Sequence, residues 1–166
     1  MTNTESPLGA FHSTSEFPSL VGTAMDEKYT ETVRSRLNKA IPNSVIKDFL
    51  EPAKLCNIWA QTILNFHPAL YEAYGMTIIE SAAFGVPSVV HKIQGNQINI
   101  GALELLADEE CVPHDLTDLE GLVEKIRNLL STGRRNLREI GERAAKKSLS
   151  YGEKEMGIVL AKALIH

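Results

Sequence analysis

Between residues 62 and 91 the chain passes through an apolar stretch, an amphipathic one and a second apolar stretch. Thr62-Ile63-Leu64-Asn65-Phe66 stops at His67-Pro68, residues 76–84 carry helical patterning, and Ser88-Val89-Val90-His91 follows Gly85-Val86-Pro87. Two short apolar runs separated by a helix imply a right-handed crossover and parallel pairing. Runs as apolar as Ser88-Val89-Val90 fit strands buried on both faces.

The same alternation recurs on either side. Pro18-Ser19-Leu20-Val21-Gly22 reads as a short strand ending in a glycine turn. Residues 26–40, with Tyr29, Val33 and Leu37 leading to Ile41 at helical spacing, read as a surface helix that Pro42-Asn43 breaks. Ser44-Val45-Ile46-Lys47 is the next strand candidate, and a helix over 52–60 tolerates Pro52 in its first turn. Downstream, the pattern predicts a helix over 98–107, a short strand over 110–112, and amphipathic helices from Leu116 onward, punctuated by Gly133 and Gly152. Residues 1–16, rich in Ser and Thr, are expected to be a disordered lead-in. The predicted fold is α/β: a Rossmann-like three-layer α/β/α arrangement with a mainly parallel sheet.

Composition narrows the function classes. A formal net charge of −4 argues against nucleic-acid and polybasic membrane partners, whose fields would repel the chain. The two cysteines, Cys56 and Cys111, lie in apolar contexts without Cys/His ligand spacing, so neither a metal site nor a disulfide framework is expected. No run is long enough to span a bilayer, and the first residues lack the apolar core of a signal peptide. With reduced thiols, a cytoplasmic location is the expectation.

In open parallel sheets, ligands gather at the carboxyl ends of the strands. The two loops leaving those ends here are residues 67–75 and 91–96. In the first, Gly75 permits close approach of a ligand to the backbone, and the helix starting near Met76 offers free N–H groups to an anion. A phosphate or diphosphate is the natural occupant. Glu80, one turn into the helix, suits sugar hydroxyls, because a carboxylate can accept from two vicinal groups. Glu72, before the helix, is placed to face what lies beyond the diphosphate. The second loop adds Lys92 as a counter-charge, with Gly95 and Asn96 as further contacts. His67 and His91 end the two strands at the site edge and read as structural or hydrogen-bonding residues rather than general bases.

The string Pro68-Ala69-Leu70-Tyr71-Glu72-Ala73-Tyr74-Gly75-Met76-Thr77-Ile78-Ile79-Glu80-Ser81-Ala82-Ala83-Phe84-Gly85-Val86-Pro87 resembles the donor-domain motif of retaining GT-B glycosyltransferases of the family 4, group 1 type. The two acids, the glycine between them and the Gly-Val-Pro exit agree with that motif. Weaker similarity extends over residues 17–166, with the family's glycine after Ile46-Lys47 missing. The resemblance implies that Glu80 binds the ribose of a nucleotide, that Glu72 lies beside the transferred sugar as the catalytic-site acid, and that backbone from Gly75 through Met76 to Thr77 contacts sugar and diphosphate. It implies a nucleotide diphosphate sugar as donor, with no metal and no other cofactor.

The same resemblance carries two departures. Nothing before Phe17 matches the family's opening strand and its diphosphate-gripping Arg and Lys, since Arg34 and Arg36 fall on a surface helix. Residues 17–166 are therefore expected to be a donor-binding domain lacking its first β-α unit, and the acceptor-binding N-terminal domain or subunit is not in this chain. Two readings result: half of a glycosyltransferase with little turnover by itself, or a non-catalytic module that binds nucleotide sugar or a partner. A sugar phosphorylase of the same architecture would need a phosphate- or cofactor-binding lysine, for which Lys92 is the nearby candidate.

Overall fold

The computed structural model describes residues 19–21, 26–47, 50–92, 100–132 and 134–152. The chain divides into two compact units, residues 1–61 and 62–166.

In the first unit, β1 (Ser19–Val21) pairs in parallel with β2 (Val45–Lys47), and α1 (Glu27–Ala40) lies between them in sequence. Asp26 starts α1 by accepting from Tyr29 N at 2.8 Å, which satisfies one of the otherwise free first-turn amides. None of the α1 residues is buried, so the predicted surface helix is indeed a surface helix. α2 (Pro52–Trp59) opens with Pro52, whose missing N–H costs nothing in a first turn, and ends at the buried Trp59.

The second unit holds a wholly parallel sheet in the order β3 (Asn65–Phe66), β4 (Ser88–His91), β5 (Val112–His114). α3 (Met76–Ala83) joins β3 to β4, and α4 (Leu119–Thr132) and α5 (Arg134–Leu149) close the described chain. The central strand β4 is buried along its length. Val90 packs with Ile78 and Ala82 of α3, Leu106 and Ala144, whereas Val89 packs with Val112, Leu122, Leu137 and Ile140. Adjacent residues of one strand thus feed two apolar clusters, as a strand covered on both faces requires. This is the Rossmann-like α/β class that the alternation predicted.

Three elements differ from the sequence pattern. The strand expected over 62–66 shrinks to Asn65–Phe66. Asn65 N donates to Pro87 O, and extending the ladder upstream would need an N–H on Pro87, which has none. The helix expected over 98–107 is a 3-10 turn, Gly101–Glu104; residues 93–99 lie outside the described residues. Ile100 is extended and bridges Glu72, while Gly101 N donates to Glu72 O, so Ile100 is committed to pairing and the turn begins at Gly101. The strand expected over 110–112 is moved to Val112–His114. Pro113 fits there because β5 is a sheet edge, where a missing donor is tolerated.

Close backbone contacts fix the helices. Gly85 ends α3 with φ +72°, a left-handed conformation suited to glycine. At its back lies Gly141 of α5, where an added β-carbon would fall 1.9 Å from Gly85 O. Inside the unit, Asn65 Nδ2 donates to Ser88 Oγ at 2.9 Å, and Ser88 and Ser81 hydroxyls lie 2.8 Å apart. Ser81 in turn donates to Ile78 O, so these buried polar groups satisfy one another.

Candidate functional site

The site is built where β3 gives way to α3. Gly75 takes φ +71° and ψ 44°, turning the chain into the helix from a left-handed position. Ile78 N and Ile79 N donate to Gly75 O at 2.9 and 3.2 Å. No side chain caps the helix, so the amides of Met76 and Thr77 in its first turn have no intrahelical acceptor and point out of the end of α3. That end carries the positive pole of the helix and suits an anion. Gly75 could not be another residue on two counts: its φ, and the Ala102 Cβ that would lie 2.9 Å from an added β-carbon.

Glu72 is folded into this loop. Its Oε1 accepts from Tyr74 N at 3.1 Å. The N–H groups of Tyr74 and then Gly75 hold the carboxyl below the ordinary glutamate range, and His67 adds a smaller push in the same direction. Its backbone is pinned from the other side by Ile100 and Gly101. A β-carbon on Gly101 would come 2.0 Å from Ala73 O, so a glycine is needed for the loop to sit where it does.

Glu80 sits one turn further along α3, half-buried, with no hydrogen-bond or ion-pair partner among the described residues. Met76 and Thr77 side chains are exposed beside it. The structure therefore brings Glu72, Gly75, Met76, Thr77 and Glu80 onto one loop-and-helix segment.

The second loop is less complete. Lys92 leaves the end of β4 but pairs with Asp108, so its charge is already engaged. Asp108 lies on a distant turn and gave no local sequence signal. Gly95 and Asn96 lie outside the described residues. His91 is buried and structural: its Nδ1 accepts from Leu116 N at 3.1 Å, tying β4 to the turn after β5. His67 Nδ1 lies 3.4 Å from Thr77 Oγ1, a contact between the strand end and the helix start that spacing alone does not reveal. Among the described residues no group of three or more His, Cys, Asp or Glu is placed to hold a metal ion. None of the described helices is long and apolar enough to cross a membrane.

Residues 20–147 match the family described as "Glycosyl transferases group 1". No curated protein matches the chain in sequence. Among solved structures, the chain is similar to TarM, with a TM-score of 0.66 at 16% identity over 88% of this chain and 27% of that one. It is similar to sucrose-phosphate synthase from Thermosynechococcus elongatus, with a TM-score of 0.69 at 15% identity over 89% of this chain and 38% of that one. It is similar as well to Anabaena HepE, solved in complex with UDP and glucose, with a TM-score of 0.62 at 16% identity over 88% of this chain and 40% of that one. At these identities the likeness is one of fold. The chain spans between 27% and 40% of the length of these three proteins.

Proposed function

We propose a function from one premise: the chain belongs to the glycosyl transferases of group 1. In this reading the chain supplies a donor-binding domain that takes a nucleotide diphosphate sugar. The observation that carries this reading is the left-handed Gly75 cap, which presents the Met76 and Thr77 amides between the carboxylates of Glu72 and Glu80. The diphosphate lies against those amides, and Gly75 keeps the backbone clear for it. Glu80, which has no hydrogen-bond or ion-pair partner among the described residues, accepts from the ribose hydroxyls. Glu72 stands beside the sugar, with Lys92, Gly95 and Asn96 on the second loop.

The reaction is sugar transfer to an acceptor with retained anomeric configuration, by the resemblance to retaining family 4 enzymes. The bond between sugar carbon and diphosphate oxygen breaks, a bond to the acceptor hydroxyl oxygen forms, and the diphosphate departs with the electron pair and takes up the acceptor's proton. Aligned amides at the end of α3 stabilise the charge that develops on that leaving group. No metal or further cofactor is required in this scheme. The acceptor side of the cleft comes from an N-terminal domain or a partner subunit, and with Cys56 and Cys111 not joined to each other we place the protein in the cytoplasm.

A titration of the chain with UDP-, GDP- and ADP-sugars by calorimetry tests the donor site. Glu80→Ala should weaken nucleotide binding by about tenfold to a hundredfold, since charge-assisted hydrogen bonds contribute roughly 1.5–3 kcal/mol. Unchanged affinity would remove Glu80 from the ribose. The chain by itself should turn over little or nothing, and glycosyl transfer at ordinary enzyme rates would show that it carries a complete cleft. Donor binding with no turnover even when an acceptor-binding domain is supplied would favour the second reading, a non-catalytic binding module.

A further inference from the structure

His67 occupies a position that neither the family motif nor the donor scheme uses. It follows β3 directly, and its own N–H donates to Val89 O at 3.1 Å, so the backbone that carries the ring is fixed to the central strand. Its Nδ1 reaches Thr77 Oγ1 at 3.4 Å, on the first turn of α3. Its Nε2 is buried and has no hydrogen-bond partner among the described residues. Burial pushes the ring below the ordinary histidine value, and the Glu72 carboxylate opposes that push. Among the described residues Glu72 is the charge acting on the ring, from the loop. α3 contributes the Thr77 hydroxyl, and β4 contributes the Val89 carbonyl to the backbone N–H.

Burial and the Glu72 carboxylate thus act on the ring in opposite directions, and burial is the larger. A protonated ring would carry a buried Nε2–H without an acceptor, which favours the neutral form. One carboxylate is insufficient to overcome this. A second negative charge at the α3 N-terminus, beside Thr77, would shift the balance toward the imidazolium. Under the donor-site reading, on which this inference rests, the diphosphate brings that charge.

We propose that His67 is a proton-linked positioning residue: it takes up a proton as an anionic donor occupies the end of α3, and through Thr77 and Glu72 it holds the helix start and the loop together around that donor. His67 does not touch the donor in this scheme. It acts by charge and by the Thr77 contact.

Sign follows from linkage. A group whose proton affinity is higher in the bound state strengthens binding as pH falls from above its bound value to below its free value. Donor affinity should therefore rise on acidification, up to about tenfold for each unit by which the donor raises the His67 value. The test is calorimetry of the full chain with UDP-glucose, ADP-glucose and GDP-mannose from about pH 8 to about pH 5.5, the range in which histidine titrates. Two buffers of different ionisation enthalpy report the proton uptake. These donors carry no phosphate monoester that would itself titrate there.

The expected result is net proton uptake in the wild-type chain and its loss in His67→Asn, with binding at the alkaline end kept. A merely structural role would weaken binding equally at every pH and leave the slope unchanged. A slope that survives in His67→Asn overturns the proposal and leaves the donor site standing. Absence of binding by all three donors overturns the donor site, and the proposal with it. Should His67→Asn fail to fold, the ring titration of His67 by NMR decides instead: its midpoint must rise when UDP-glucose, or whichever of the three binds, is added, and an unmoved midpoint refutes the proposal.

Discussion

Gly141 on α5 and Gly85 after α3 meet backbone to backbone, with a β-carbon on Gly141 only 1.9 Å from the Gly85 carbonyl oxygen. The neighbour there is main chain and has no rotamer by which to move aside. Gly141→Ala should therefore force α5 away from α3 and destabilise the chain by about 1–3 kcal/mol, as overpacked sites do. Gly85→Ala meets the same helix only at 3.8 Å and suffers chiefly from its left-handed φ, at about 1–2 kcal/mol. Urea unfolding of both variants should give losses within those ranges. A neutral Gly141→Ala would mean that the two helices can separate freely.

Gly101 acts on the site from behind. An alanine there would drive into Ala73 O, within the loop that carries Glu72 and the Gly75 amide. We expect Gly101→Ala to weaken sugar-nucleotide binding by roughly tenfold or more, equivalent to about 1.4 kcal/mol. The folded chain should persist, because the displaced segment is an exposed loop. Calorimetry alongside a thermal melt separates the two effects, and unchanged affinity would show that the loop position does not matter for the ligand.

The Glu72 carboxyl is held below the ordinary glutamate range by the Tyr74 and Gly75 amides. A depressed carboxyl contributes its stabilisation fully above the unfolded value, and that contribution fades as pH falls through the folded value. Loop order around residues 72–75 should thus persist at mildly acidic pH and fade only below the usual glutamate midpoint. Carbon-13 NMR of the Glu72 carboxyl measures this directly. A midpoint at or above that of a free glutamate would contradict the loop geometry.

The two thiols should differ sharply in reactivity. Cys56 is exposed, whereas Cys111 is buried and desolvation pushes its thiol up to about 12. A disulfide reagent near neutral pH should label Cys56 in the native chain and reach Cys111 only with urea. Rapid labelling of both would show that the cluster around Leu106 and Val90 opens readily.

Much of this molecule was legible from sequence, and the unread parts share a cause. Ser88–His91 was found intact because a β-branched run after Gly-Val-Pro leaves few alternatives. α3 and its glycine are legible because the motif fixes both, and α1 because Tyr29, Val33 and Leu37 recur at helical spacing. The ends of β3 and β5 differ from the sequence pattern because strand limits depend on the partner: Pro87 shortens β3, and the edge position of β5 admits Pro113. The 3-10 turn reads as a helix because its apolar pattern is helical, while the Glu72 backbone holds Ile100 extended. Within the site, Glu72, Gly75, Met76, Thr77 and Glu80 come from one continuous segment and could be read from it. The Asp108 pairing with Lys92 joins residues 16 positions apart, and no local pattern encodes it. The His67–Thr77 contact depends on the path of the intervening loop, which spacing does not specify.

Asn65, Ser81 and Ser88 have a consequence beyond satisfying one another. A strand of two residues has too few ladder bonds to choose its own alignment, and its apolar neighbours offer little discrimination. Sliding β3 by one position would put Phe66 where Asn65 Nδ2 donates and deprive Ser88 Oγ of that bond. The three polar side chains therefore work as a proofreading mark, making the misaligned chain costly.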